Sequence, residues 1–154
     1  MAKIMLMGQI RVHSKVKHPN ICNFDGFFED EFCIYILLEY CPHKTLHHML
    51  RQRKKLTEFE VRYFMIQIFN VLVYLRQSRV IHRDLKPTNM FLSEKLALRV
   101  GDFGVALKLD PCDELPLDFC GSPMFMAPEV INVNKTTTGY SFESDVWSAG
   151  IVFF

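Results

Sequence analysis

The sequence predicts a mixed α+β chain, and three observations carry that reading. Thr57 and Glu60 form a capping box, after which Val61, Phe64, Met65, Ile68, Leu72 and Leu75 recur at three- and four-residue spacing. In such a box the hydroxyl and the carboxylate satisfy backbone donors that the first turn leaves free, and the spacing gives one buried helix face. Two apolar, β-branched and aromatic runs, 21–28 and 33–38, flank the polar turn Glu29-Asp30-Glu31 and read as a hairpin. Two short strand-like runs, 90–92 and 98–100, follow the long helix.

In chain order, residues 4–16 come first. Ile4, Met7 and Ile10 are spaced by three, which fits a helix, although Ile10 and Val12 also fit a strand. His18-Pro19-Asn20 stops this segment, because proline disfavours the helical region for the residue before it. The hairpin follows and is broken at Glu39-Tyr40-Cys41-Pro42. Residues 45–53 read as a short helix whose basic tail, Arg51 to Lys55, is a solvated helix end before it is a binding patch. Beyond the two short strands, residues 102–128 read as mostly irregular chain. A further helix starts near Ser144.

Composition excludes several classes. A length of 154 residues fits one domain, and 49% apolar with 23% charged residues is a globular balance. Net charge is +1, which offers no case for nucleic acid or an anionic membrane as partner. The early apolar run Ile4 to Met7 is too short for a signal core or a membrane span. The five cysteines therefore read as reduced thiols of a cytoplasmic or nuclear protein, and without a C-x-x-C pair no zinc site is expected.

One stretch carries chemistry: Ile81-His82-Arg83-Asp84-Leu85-Lys86-Pro87-Thr88-Asn89, with Asp102-Phe103-Gly104 beyond it. Phosphoryl transfer from a magnesium nucleotide needs a carboxylate to take or orient the proton of the attacking hydroxyl, and Asp84 suits that. It needs a cation to offset charge on the transferring group, which Lys86 supplies. It needs oxygen ligands for a hard cation, which Asn89 and Asp102 offer. Ala127-Pro128-Glu129 and Asp145-Val146-Trp147-Ser148-Ala149-Gly150 follow in order. With these four blocks the chain resembles a eukaryotic serine/threonine protein kinase. Gly26-Phe27-Phe28-Glu29-Asp30, Leu56-Thr57-Glu58, Phe119-Cys120-Gly121-Ser122-Pro123 and Ser141-Phe142-Glu143 make it most similar to the polo-like kinases.

The resemblance implies a kinase-like fold that is incomplete. Residues 1–41 would be an N-lobe remnant with the hinge, and 42–154 a truncated C-lobe. ATP and Mg2+ would be the cofactors, and Ser or Thr hydroxyls of proteins the acceptors. Leu38 would be the gatekeeper, Glu39 and Cys41 would offer hinge backbone groups to the adenine, and Phe91 would lie under it. His82 and Phe103 would be packing residues, and Asp145 and Trp147 would brace the catalytic loop. A role in cell division, at a centrosome, spindle pole or kinetochore, is implied by likeness alone.

Three departures from the pattern bear on function. The Gly-rich loop and strand Lys are not found, and the helix position that holds their Glu partner is Gln9, which cannot make an ion pair. Glu129 would lack the Arg of a later helix, and uncovered apolar surface would need further kinase segments or a partner. Asp118 stands where the resemblance places an activating phosphothreonine. It would either pair with Arg83, with about one charge in place of a phosphate's ~1.5 to 2, or stand as a solvated loop residue. The first departure favours a rival reading, a non-catalytic binding or regulatory protein with a kinase-like surface, whereas the intact catalytic loop favours the enzyme.

Overall fold

The computed structural model describes residues 2–135 and 138–154, without the side chains of residues 2–5 and 9. Gln9 lies in a helix, but its side chain is outside the described residues.

The chain opens with α1 (Ala2–His13), ended by a turn before Pro19. β1 (Phe24–Glu29) and β2 (Ile34–Leu38) form the expected antiparallel hairpin. Its first strand is shorter than the apolar run suggests. Ile21 and Cys22 leave the hairpin and pair with β5 (Leu98–Val100) instead: Ile21 bridges Val100, and the Cys22 N–H donates to the Val100 carbonyl at 2.8 Å. A single run thus serves two sheets and ties the hairpin to the body of the molecule.

α2 (Leu46–Arg53) is capped by Thr45, whose hydroxyl accepts the His48 N–H at 3.3 Å. α3 (Glu58–Gln77) follows. Its capping box is formed as read: the Thr57 hydroxyl accepts from Glu60 N–H at 3.4 Å, and the Glu60 carboxylate from Thr57 N–H at 2.8 Å. Arg53, in the basic tail of α2, pairs with the same carboxylate. Phe64, Ile68, Leu72 and Leu75 are buried on the predicted face. Gln67 is buried beside them and is satisfied by Asn20, Leu98 N–H and the Tyr63 carbonyl.

β4 (Met90–Leu92) pairs with β5, placing Met90 opposite Val100. The expected irregular stretch 102–128 contains a strand. β6 (Leu107–Lys108) pairs with β3 (Val80–Ile81), because Arg79 fixes the carbonyls of Leu109 and Asp110 at 3.0 Å each. α4 (Pro128–Ile131) and α5 (Glu143–Phe153) close the chain. One apolar core joins α3 to Leu46, Leu85, Met90, Leu92, Leu98 and Phe103. Each large aliphatic side chain fully buried there contributes about 1.5–3 kcal/mol. Among the described residues, no helix is long and apolar enough to cross a membrane.

Candidate active site

The loop between β3 and β4 is held from beneath by a buried carboxylate. Asp145, at the start of α5, accepts the His82 N–H at 2.7 Å and the Arg83 N–H at 2.9 Å. Burial pushes the Asp145 carboxyl up, and His82 and the two amides pull it back only in part. These bonds hold Arg83 at φ 67°, a left-handed conformation that a bulky residue adopts only under constraint. Trp147 is 48% exposed.

The loop then presents its polar groups together. Lys86 Nζ lies 2.7 Å from Asp84 Oδ2 and donates to Ser122 Oγ at 2.7 Å. Asn89 Nδ2 donates to the Asp84 carbonyl at 2.9 Å and to its Oδ2 at 3.1 Å. Asp84 Oδ2 is thus occupied, while Oδ1 is buried with no hydrogen-bond partner. Burial pushes this carboxyl up, but the bonds from Lys86 and Ser122 outweigh it and hold it below the usual carboxylate range. Asp84 is therefore ionised at neutral pH.

Asp102 reaches the same place through the β4–β5 hairpin. Gly101 N–H donates to the Asn89 carbonyl at 2.9 Å, so the residue before Asp102 is bonded to Asn89 itself. Asp102 has φ 59°, and its Oδ1 accepts the Gly104 N–H at 3.2 Å. The donor set at this point is hard oxygen, the Asn89 carboxamide and the Asp102 carboxylate, which fits magnesium. Gly101 must lack a side chain here: a Cβ would come within 2.8 Å of the Phe91 ring.

Leu38 ends β2, and Glu39 and Cys41 follow it. Glu39 N–H is used by the Asn23 carbonyl at 2.9 Å, so only its carbonyl is left for a ligand. Its carboxylate turns away and pairs with Arg99 at 2.9 Å. The Cys41 N–H makes no hydrogen bond among the described residues, while its carbonyl accepts from Lys44 N–H at 3.2 Å.

Arg83 and Asp118 meet. Arg83 Nη1 donates to both Asp118 carboxylate oxygens at 2.8 Å, and Nε donates to the Val105 carbonyl at 2.6 Å. Sequence reading missed four residues around these groups. Tyr140 is buried, accepts from Arg83 at 3.1 Å and donates to the Asp118 carbonyl at 3.0 Å. Ser122 holds Lys86. Gly121 has φ 106°, and a Cβ there would lie 2.3 Å from the Arg83 carbonyl, so only glycine lets the two segments pass. His13 is buried, with its ring 4.5 Å from Phe103, which in turn lies 4.8 Å from His82. Burial lowers the His13 pKa and keeps the ring neutral. No local pattern announces these four, because each partner is remote in sequence.

The geometry agrees with what the chain is similar to. A family model described as "Protein kinase domain" matches residues 2–154. The chain belongs to the protein kinase family. The serine/threonine-protein kinase polo of Drosophila melanogaster is 42% identical over 146 residues, 95% of this chain and 25% of that protein. The cell cycle serine/threonine-protein kinase CDC5/MSD2 of Saccharomyces cerevisiae is 44% identical over 149 residues, 97% of this chain and 21% of that protein. The inactive serine/threonine-protein kinase PLK5 of Mus musculus is 40% identical over 146 residues, 95% and 24%. This kinase chain thus spans about a quarter of the length of the curated relatives it matches.

Proposed function

We propose that the protein transfers the γ-phosphoryl group of ATP to Ser or Thr hydroxyls of other proteins, in control of the cell cycle. The observation that carries this is an ionised Asp84 whose Oδ2 is held by Lys86 and Asn89. Asp84 Oδ1 takes the proton of the acceptor hydroxyl. Lys86, steadied by Ser122, offsets charge on the transferring group. Asn89 Oδ1 and the Asp102 carboxylate would hold magnesium, which when bound neutralises phosphate oxygens. Leu38, the Glu39 carbonyl, Cys41 N–H and Phe91 form the adenine side. Arg83 with Asp118 holds the activation segment against the loop. A polo-like cell-cycle role, and a cytoplasmic or nuclear site of action, rest on the names of the relatives.

The deciding measurement is titration of the 154-residue chain with magnesium-ATP by calorimetry, with Asp102→Ala as control. Saturable binding lost in the variant is expected. A folded chain without binding would leave the non-catalytic reading, that of a binding or regulatory protein. In the full-length protein Asp84→Asn should keep nucleotide binding and slow transfer by about 10² to 10⁴-fold, the usual contribution of a positioned base.

A further inference from the structure

The outward side of α3 carries an apolar stripe that reads the same in both directions. Phe59, Tyr63, Ile66, Phe69 and Val73 are all exposed, Phe59 at 84% and Ile66 at 63%. Their spacings are four, three, three and four residues, so all five fall on one side of the helix. Ile66 is the centre. Tyr63 and Phe69 lie three residues to either side of it, and Phe59 and Val73 lie seven. Phe64, Ile68, Leu72 and Leu75 form a second stripe, which is buried in the core. α3 is therefore apolar on two sides, and only the inner one meets the core.

The polar residues around the stripe repeat its symmetry and give it polarity. Arg62 and Asn70, both exposed, lie four residues to either side of Ile66. The first turn of α3 is acidic, with Glu58 and Glu60, and its last turn is basic, with Arg76. At the Val73 end the stripe opens into the groove between α3 and α5, of about 160 Å3, whose walls include Phe69, Val73, Phe142 and Val146. Phe59, the most exposed of the five, stands at the opposite end. One end of the stripe is thus a protruding ring beside acidic residues, and the other is a hollow beside a basic one.

We infer that this stripe docks a second copy of the 154-residue chain, with the two α3 helices antiparallel and crossing at Ile66. A two-fold axis there makes the contact self-complementary. Ile66 meets Ile66 of the second copy, Tyr63 meets its Phe69, and Phe59 meets its Val73. Phe59 of each copy then enters the α3–α5 groove of the other, an aromatic anchor in a pocket. Arg62 falls opposite Asn70, and Glu58 comes within a turn of Arg76. A parallel pair would instead set Glu58 against Glu58 and Arg76 against Arg76, and like charges facing each other disfavour it. Covered in both copies, the five side chains remove about 1,000 Å2 from water, the size at which specific interfaces begin.

Self-association tests this surface without any nucleotide. Sedimentation equilibrium of the 154-residue chain should show monomers in exchange with dimers, saturating at the dimer. Ile66→Glu sets two carboxylates face to face on the axis and should raise the dimer Kd at least about tenfold. Its far-UV circular dichroism should stay that of the wild type, because the position is exposed. Phe59→Glu should weaken the dimer as well, which keeps the test decisive if one variant misfolds. Phe32→Glu, on the hairpin, should change nothing. Glu58→Lys alone should weaken the dimer, and Glu58→Lys combined with Arg76→Glu should restore it. A chain that stays monomeric, or that grows past the dimer without saturating, overturns the inference. So does association that survives Ile66→Glu and Phe59→Glu but is lost with Phe32→Glu. A dimer indifferent to Glu58→Lys overturns the antiparallel arrangement.

Discussion

Arg83 ties three segments of this molecule together. Its backbone is bent by Asp145, its Nε holds Val105 just after Asp102-Phe103-Gly104, and its Nη1 holds Asp118 and Tyr140. The loop before β4, the end of the Asp102-Phe103-Gly104 turn and the segment at Asp118 therefore share one guanidinium. Its side chain is 11% exposed, whereas that of Asp118 is 58% exposed, so solvent discounts the pair. Asp118→Asn in the full-length protein should lower phosphorylation of a Ser/Thr peptide about tenfold, equivalent to roughly 1.4 kcal/mol in the barrier. Tyr140→Phe should act in the same direction and less, since it leaves the ion pair. A steady-state rate unchanged by Asp118→Asn would make Asp118 a solvated loop residue. The residue types were legible in the sequence, and so was the pairing of Arg83 with Asp118, through family resemblance. Tyr140 was not, because its hydroxyl meets them only across the folded chain.

Among the elements, α3 was the most legible, because its start signal and its buried face are both local. Thr57→Ala removes the cap and should cost about 1 kcal/mol in chemical denaturation. The box also has a pH signature. The Arg53 bond first, then the bonds from Thr57, hold the Glu60 pKa at about 2. The folded value lies below the unfolded one, so the contribution of ionised Glu60 is fully present above the ordinary carboxylate pKa of about 4.3. It is lost as pH falls through about 2. The stability gap between the wild-type chain and Glu60→Gln should stay constant from neutral pH to about 4.5 and close below it. A gap that persists at the acid end would mean the carboxylate contributes only shape. The hairpin was legible as well, but its first strand was not. Periodicity cannot tell that Ile21 and Cys22 pair with β5 and Phe24 onward with β2.

At the scale of the whole molecule, the described residues leave two apolar faces open. The hairpin exposes Phe32 at 87% and Phe28 at 52%, and the outer edge of β2 pairs with no strand among the described residues. A groove of about 160 Å3 lies between α3 and α5, lined by Phe69, Leu72, Val73, Phe142 and Val146. Surfaces of this kind mark interaction sites or an aggregation risk. The 154-residue chain should bind a hydrophobic dye and sediment with a concentration-dependent mass, and a chain extended to the length of its relatives should do neither. A monomeric, dye-free 154-residue chain would show that these faces need no cover.

The sequence by itself determined the hairpin, the long helix with its cap, the family, and the residue types of the phosphoryl-transfer set. Each of these is written in short-range spacing, which a one-dimensional pattern preserves. Tertiary structure alone decided which oxygen of Asp84 is held by Lys86 and Asn89, that Ser122 steadies Lys86, and that Tyr140 completes the Arg83 cluster. These depend on contacts between segments distant along the chain, and only packing brings such segments together.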